Sequence, residues 1–144
     1  MIPIKDLRIG DLVKTTTRNP ILEKGSICKV VLIDALINSI IVQKNDVDVC
    51  RCLVKEEIEG IRLTPDILEK NGWNKKHDPT SSCDIYSKGK GAFYVSLEQS
   101  IYKKQEGFDF VVSDSTYRFG NILQYVHQLQ HILWALGEGT NLKI

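Results

Sequence analysis

The first half of the chain reads as short runs of β-branched and aliphatic residues broken by turn formers. Residues 11–16 follow Gly10, residues 26–33 follow Gly25, residues 39–43 follow Asn38, and residues 47–53 follow Asn45 and Asp46. Val, Ile and Thr suit a pleated surface, and Gly, Asn and Asp tolerate tight turns, so each run predicts a strand. Four or five short strands without a helix predict a small SH3-like β-barrel over residues 1–63. Such scaffolds are common and carry no function of their own.

The pattern changes at residue 64. Thr64 can cap free N–H groups, Pro65 fits a first helical position, Asp66 suits the positive helix start and Gly72 can end it, so a short linking helix is predicted. Residues 74–82 are polar and predict a loop. Residues 83–87 and 92–97 flank Lys88-Gly89-Lys90-Gly91 and predict a hairpin with that segment at its tip, and residues 108–112 predict a further strand. Ile122, Val126, Leu129, Leu133 and Leu136 recur at spacings of four, three, four and three. They form one stripe of a helix capped by Asn121 and stopped by Gly137. Tyr125 and Ile132 widen the stripe on one side, and Leu123 and Trp134 lie off the other. An apolar arc this broad fits a helix well embedded in its own core or a helix shared with a second copy, and a homo-oligomer is the expectation carried forward. The expectation is an α+β protein, with a barrel module over 1–63. Residues 64–144 then hold an aromatic-rich sheet and the C-terminal helix, and the two can form one compact unit.

Composition sharpens this picture in three places. A chain of 144 residues, 42% hydrophobic and 26% charged, can bury a core without covalent staples. All eleven aromatic residues lie between Trp73 and Trp134, which sets the second module apart. The net charge is +1, with 11 basic and 11 acidic residues in 1–72 and 8 and 7 in 73–144. Without a basic excess, generic nucleic-acid binding is disfavoured. Asp6, Arg8 and Asp11 interrupt the opening segment, so no signal peptide is predicted. Apolar runs such as residues 30–33 are too short to cross a membrane. Cys50 and Cys52 lie two apart on a predicted strand, a poor disulfide geometry that also lacks zinc-knuckle spacing. With Cys28 and Cys83 they are expected as free thiols in a reducing cytoplasm.

Candidate chemistry is sparse. His127-Gln128-Leu129-Gln130-His131 places two histidines four apart, a zinc-chelating spacing on a helix. Gln128 stands where a metallohydrolase needs a glutamate, and an amide cannot accept the proton. His127, His131, Gln124 and Gln128 fall opposite the apolar stripe and are expected on an outer polar face. Ser87-Lys88-Gly89-Lys90-Gly91 could hold a phosphate on exposed N–H groups, but lacks the frame of a nucleotide-hydrolase loop. No serine elbow or cysteine–histidine pair is present. Asp109 and Asp114 are the weakest of candidates for an acid–base pair assembled in space. No catalytic residue, metal or cofactor is predicted. The aromatic second module, with its lysines and Arg118, suits a nucleotide-like base and its phosphates. Tyr86, Lys88, Lys90, Tyr94, Arg118 and Trp134 are the ligand-binding candidates.

Three phrases carry a resemblance: Asp6-Leu7-Arg8-Ile9-Gly10-Asp11-Leu12-Val13, Ile61-Arg62-Leu63-Thr64-Pro65-Asp66-Ile67-Leu68-Glu69-Lys70-Asn71-Gly72-Trp73, and Tyr125-Val126-His127-Gln128-Leu129-Gln130 followed by Ala135-Leu136-Gly137. In that order they resemble a family of small proteins from gut anaerobes, their phages and integrated elements. The family brings no established activity or catalytic residues. It implies a phage or mobile-element accessory protein in a bacterial cytoplasm. The first expectation is a non-enzymatic protein that sequesters a small anionic, nucleotide-type host defence signal. A module docking on a host or phage protein and a nucleotide-signal hydrolase are the alternatives.

Overall fold

In a computed structural model, residues 2–17, 22–44, 50–90, 93–100, 107–112 and 117–144 are described. The chain is a mixed α+β protein of two antiparallel sheets and a C-terminal helix. Two compact units are formed: Met1–Ile61 with Leu129–Thr140, and Arg62–Gln128 with Asn141–Ile144.

In the first unit β1 (Leu12–Thr15), β2 (Ile27–Asp34), β3 (Ser39–Gln43), β4 (Cys50–Val54) and β5 (Ile58–Gly60) form one antiparallel sheet. Its order is β4-β3-β2-β1-β5. Alternation decides which side is buried. Val13, Cys28, Val30, Ile40, Val42 and Leu53 point into the core, and Leu32 and Cys52 point outward. Asp34 shapes the β2–β3 turn by accepting the N–H groups of Leu36 and Ile37 at 3.0 and 3.3 Å. A 3₁₀ turn, Lys55–Glu57, precedes β5, and Glu57 accepts the Val54 N–H at 3.1 Å. The predicted strands are present among the described residues, with residues 47–49 of the fourth lying outside them, and β5 is added. The expected barrel is not closed: among the described residues β4 and β5 remain the two edges.

The second unit opens with α1 (Pro65–Lys70), capped by Thr64, whose hydroxyl accepts the Ile67 N–H at 3.4 Å. Gly72, at φ +79°, ends it: Gly72 N–H donates to Glu69 and Trp73 N–H to Leu68. That pair of bonds is the Schellman pattern, with Trp73 buried beyond it. Five strands follow as a meander: β6 (Asn74–Asp78), β7 (Cys83–Lys90), β8 (Phe93–Ser100), β9 (Phe108–Val112) and β10 (Tyr117–Leu123). The sheet order is β10-β9-β8-β7-β6. Tyr86 and Phe108 meet edge to face inside it, with centroids 5.7 Å apart.

Three sequence expectations are corrected here. Residues 74–78 form an edge strand rather than a loop, because every one of them is paired with β7. The hairpin strands run longer than expected, so Lys88 and Lys90 pair with Val95 and Phe93 instead of sitting in an open tip. The backbone of Asn121 lies inside β10, five residues before α2, so it is not at the helix's N-cap position. Helix α2 is Val126–Ala135, and the side chain of Gln128 in its first turn accepts the N–H groups of the two residues before it, Gln124 and Tyr125, at 2.8 and 3.1 Å. Gly137, at φ +73°, stops it as expected: its N–H reaches Trp134, and Glu138 N–H reaches Leu133.

Candidate functional site

A cavity of about 350 Å³ lies in the first unit, lined by Arg8, Ile9, Gly10, Asp11, Gln130, His131, Trp134 and Thr140. One wall is the turn before β1. Gly10, at φ +98°, adopts a conformation few other residues tolerate, and Asp11 N–H closes the turn on Arg8 at 3.2 Å. Gly10 N–H donates to Val30 at 2.7 Å, which ties the turn to the sheet. The opposite wall is α2, where Gln130 and Trp134 stand one helical turn apart, and Thr140 beyond the helix adds a third side.

Two buried side chains build the floor. Asp11 is 2% exposed, and such a carboxylate needs partners to stay charged. It accepts the Arg8 N–H at 2.7 Å and lies 2.8 and 3.0 Å from Nε2 of His131. Facing a carboxylate, that nitrogen carries the proton. Gln130 uses its whole amide on backbone: Oε1 accepts the Leu12 N–H at 2.9 Å, and Nε2 donates to Gly10 and Thr140 at 3.1 Å each. It thereby ties three cavity walls together.

The rim has a different character. The Arg8 guanidinium lies over the Trp134 ring, 5.3 Å from its centroid, and Trp134 is 68% exposed. Ile9 faces the same cavity and is also largely exposed. Apolar walls around a few converging polar groups are the usual make-up of a small-molecule site.

The expected outer polar face of α2 is overturned. Of the four residues expected there, His127 is buried and Gln124, Gln128 and His131 are half-buried, and their neighbour Gln130 is buried as well. Backbone groups and Asp11 draw these polar side chains inward, and His127 stacks on Tyr125 with centroids 5.7 Å apart. The arc proposed for self-association loses Leu123, which is buried in β10 and lies outside the helix.

Of the ligand-binding candidates, Trp134 lines the cavity. Tyr86 lies in the second unit with no exposed face, packed on Phe108, and burial raises its hydroxyl pKa. Lys88 is a half-buried β7 residue. The side chains of Lys90, Tyr94 and Arg118 lie outside the described residues, although their backbones are in β7, β8 and β10. Asp109 stands opposite Glu98 across β8 and β9, and Asp114 is outside the described residues. Arg8, Asp11 and Gln130 were not singled out by sequence. The Gly10 turn was the available signal, since it had to project its neighbours somewhere.

A second polar cluster sits on the β6 edge. Lys75 Nζ is 2.8 Å and His77 Nδ1 3.0 Å from the Asp84 carboxylate. The Lys75 hydrogen bond, then that of His77, holds Asp84 below the usual carboxylate range, and Asp84 in turn raises Lys75. Among thiols, Cys28 is buried, which pushes its pKa up, and Cys52 is exposed. The chain matches no protein-family model, no curated protein and no solved structure.

Proposed function

We propose that this protein is a non-enzymatic binder of a small anionic ligand with a flat ring, of the nucleotide type, and that the Arg8–Trp134 cavity is the site. The observation that carries it is the guanidinium of Arg8 lying over an exposed indole above the Asp11–His131 floor. Ring stacking contributes about 1–3 kcal/mol per base in single-stranded nucleic-acid sites. Charge-assisted hydrogen bonds to a phosphate add roughly 1.5–3 kcal/mol each. Together these support useful affinity without a reaction, less the cost of immobilising the ligand. The resemblance to phage and mobile-element proteins gives the biological reading: sequestration of a host defence signal in a bacterial cytoplasm. The strand order β4-β3-β2-β1-β5, with a 3₁₀ turn before β5, supports an SH3-type scaffold under the cavity. Self-association through α2 belongs to the same proposal, with Ile132 as the contact residue, since Trp134 is committed to the cavity.

The test is to incubate the protein with a panel of cyclic and ADP-ribose-type nucleotides and mononucleotides, then assay free and heat-released ligand by chromatography. Depletion with intact recovery supports sequestration. A new product peak favours the hydrolase, and no depletion of any member removes the small-ligand reading. In that event docking onto a protein stands next, on the observation that Leu36 and Ile37 at the β2–β3 turn are 97% and 66% exposed.

A further inference from the structure

Arg8 holds a place that a ligand can take. Its backbone is fixed, since its N–H donates to Asp11 at 2.7 Å and its carbonyl closes the turn on the Asp11 N–H. Its side chain is not fixed in the same way. The guanidinium donors bond to no described residue, and their contact is the face of Trp134. A cation–π contact between two exposed side chains is weak, so the guanidinium is easily exchanged. Asp11, Arg8 and His131 are the charged or titratable residues lining the cavity. The Asp11 carboxylate accepts from His131 and from the Arg8 backbone N–H, and the Arg8 guanidinium forms no ion pair among the described residues, so its donors remain open to an anionic ligand.

Resting on the small-ligand reading of this cavity, we infer that its ligand is a nucleoside monophosphate that binds by exchange with Arg8. The base takes the Trp134 face that the guanidinium vacates, with Ile9 as the apolar wall on the same cavity. The guanidinium turns to the phosphate and donates two N–H bonds to it, the planar pairing for which arginine is suited. Size sets the class. A cavity of about 350 Å³ is at the lower end of small-molecule sites, which run about 300–1,000 Å³, and holds one ring system with one phosphate. A second base has no wall to stack on.

Exchange makes the two halves of the ligand depend on each other. A nucleoside displaces Arg8 and offers it nothing. Free phosphate draws Arg8 away and leaves Trp134 bare. A mononucleotide does both, so its affinity exceeds what its parts suggest.

Calorimetry on the full chain with AMP, adenosine and inorganic phosphate tests this. AMP is expected to bind about tenfold or more tightly than adenosine, as one charge-assisted hydrogen bond implies. Arg8→Gln should bring AMP to the level of adenosine and leave adenosine no weaker, since nothing then competes for the indole. Trp134→Leu should remove both. Because Trp73 is buried, fluorescence quenching on AMP addition should come from Trp134 and vanish in Trp134→Leu. Both substituted side chains are exposed, so the variants are expected to fold. Equal affinity for AMP and adenosine, or equal weakening of both by Arg8→Gln, overturns the exchange. If AMP fails while a larger nucleotide of the panel binds, the monophosphate assignment falls and the small-ligand reading survives. If nothing binds, both fall.

Discussion

Asp11 and His131 are 120 residues apart in sequence, and the imidazole Nε2 of one lies 2.8 Å from the carboxylate of the other. The pairing is lopsided in burial, with side-chain exposures of 22% for His131 and 3% for Asp11. Water can therefore reach part of the imidazole but almost none of the carboxylate. Removing His131 strands a buried charge, whereas removing Asp11 strands a group that solvent can partly satisfy. Denaturant unfolding of Asp11→Asn, His131→Gln and the double variant should give a coupling of about 1.5–3 kcal/mol, the range for hydrogen bonds to charged groups. A coupling near zero would show that the two side chains are merely adjacent.

Gln130 offers a sharper stability test. Gln130→Leu keeps most of the volume but leaves the Leu12 N–H and the carbonyls of Gly10 and Thr140 without this partner. Each orphaned group costs about 1–3 kcal/mol if fully buried, and these three are partly exposed, so a total of roughly 2–4 kcal/mol is expected. Gln128→Ala, which removes a helix-opening acceptor, should cost about 1 kcal/mol. The thermal midpoints of the two variants should fall in that order.

The legibility of the chain follows the range of the forces involved. Helix α1 and the stop at Gly137 were readable because capping is chemistry among neighbours: Thr64 bonds three residues on, and Gly72 and Gly137 bond three residues back. Strand β6 was not readable. Lys75, Lys76 and His77 look like a loop because an edge strand takes its stability from pairing with β7 and its polarity from facing water. Asn121 misled because Ile122, though in β10, continues the helical period of α2. In the cavity, Trp134 stood out in the sequence as an amphipathic aromatic, but its place in the first unit did not. Asp11 and Gln130 were not, because their roles arise from contacts across 118 to 120 residues.

The cluster on the β6 edge predicts a pH response of known sign. Asp84 is held below the ordinary carboxylate value by Lys75 first and His77 second. A depressed carboxylate stabilises the fold above its unfolded pKa of about 3.9, and that contribution is lost as pH falls through the folded value. Carbon-detected NMR titration of Asp84 should show its midpoint rising toward the ordinary value in Lys75→Met, and rising less in His77→Ala. The reverse order would mean that the lysine contact is lost in solution.

Gly107 gives the most direct test of the second sheet. It precedes β9 at φ +133°, a conformation that residues with a Cβ rarely hold. Space is short as well as geometry: an added Cβ would overlap Cγ2 of Ile122 and lie 2.8 Å from the Leu123 carbonyl. Both belong to β10, which pairs with β9 through Ile122↔Asp109 and Leu123↔Phe108. Relief must come from moving a backbone that is already hydrogen-bonded. Overpacking costs about 1–3 kcal/mol and a strained backbone roughly as much, so Gly107→Ala should lower stability by about 2–5 kcal/mol. Gly139 has nothing within 4 Å of its added Cβ and no positive φ, which makes Gly139→Ala the matched control, expected within about 0.5 kcal/mol of the parent. Hydrogen exchange should localise the Gly107→Ala effect to β9 and β10, with β1 to β3 unchanged. Equal stability of the two variants would mean that Ile122 does not pair with Asp109, nor Leu123 with Phe108, in solution.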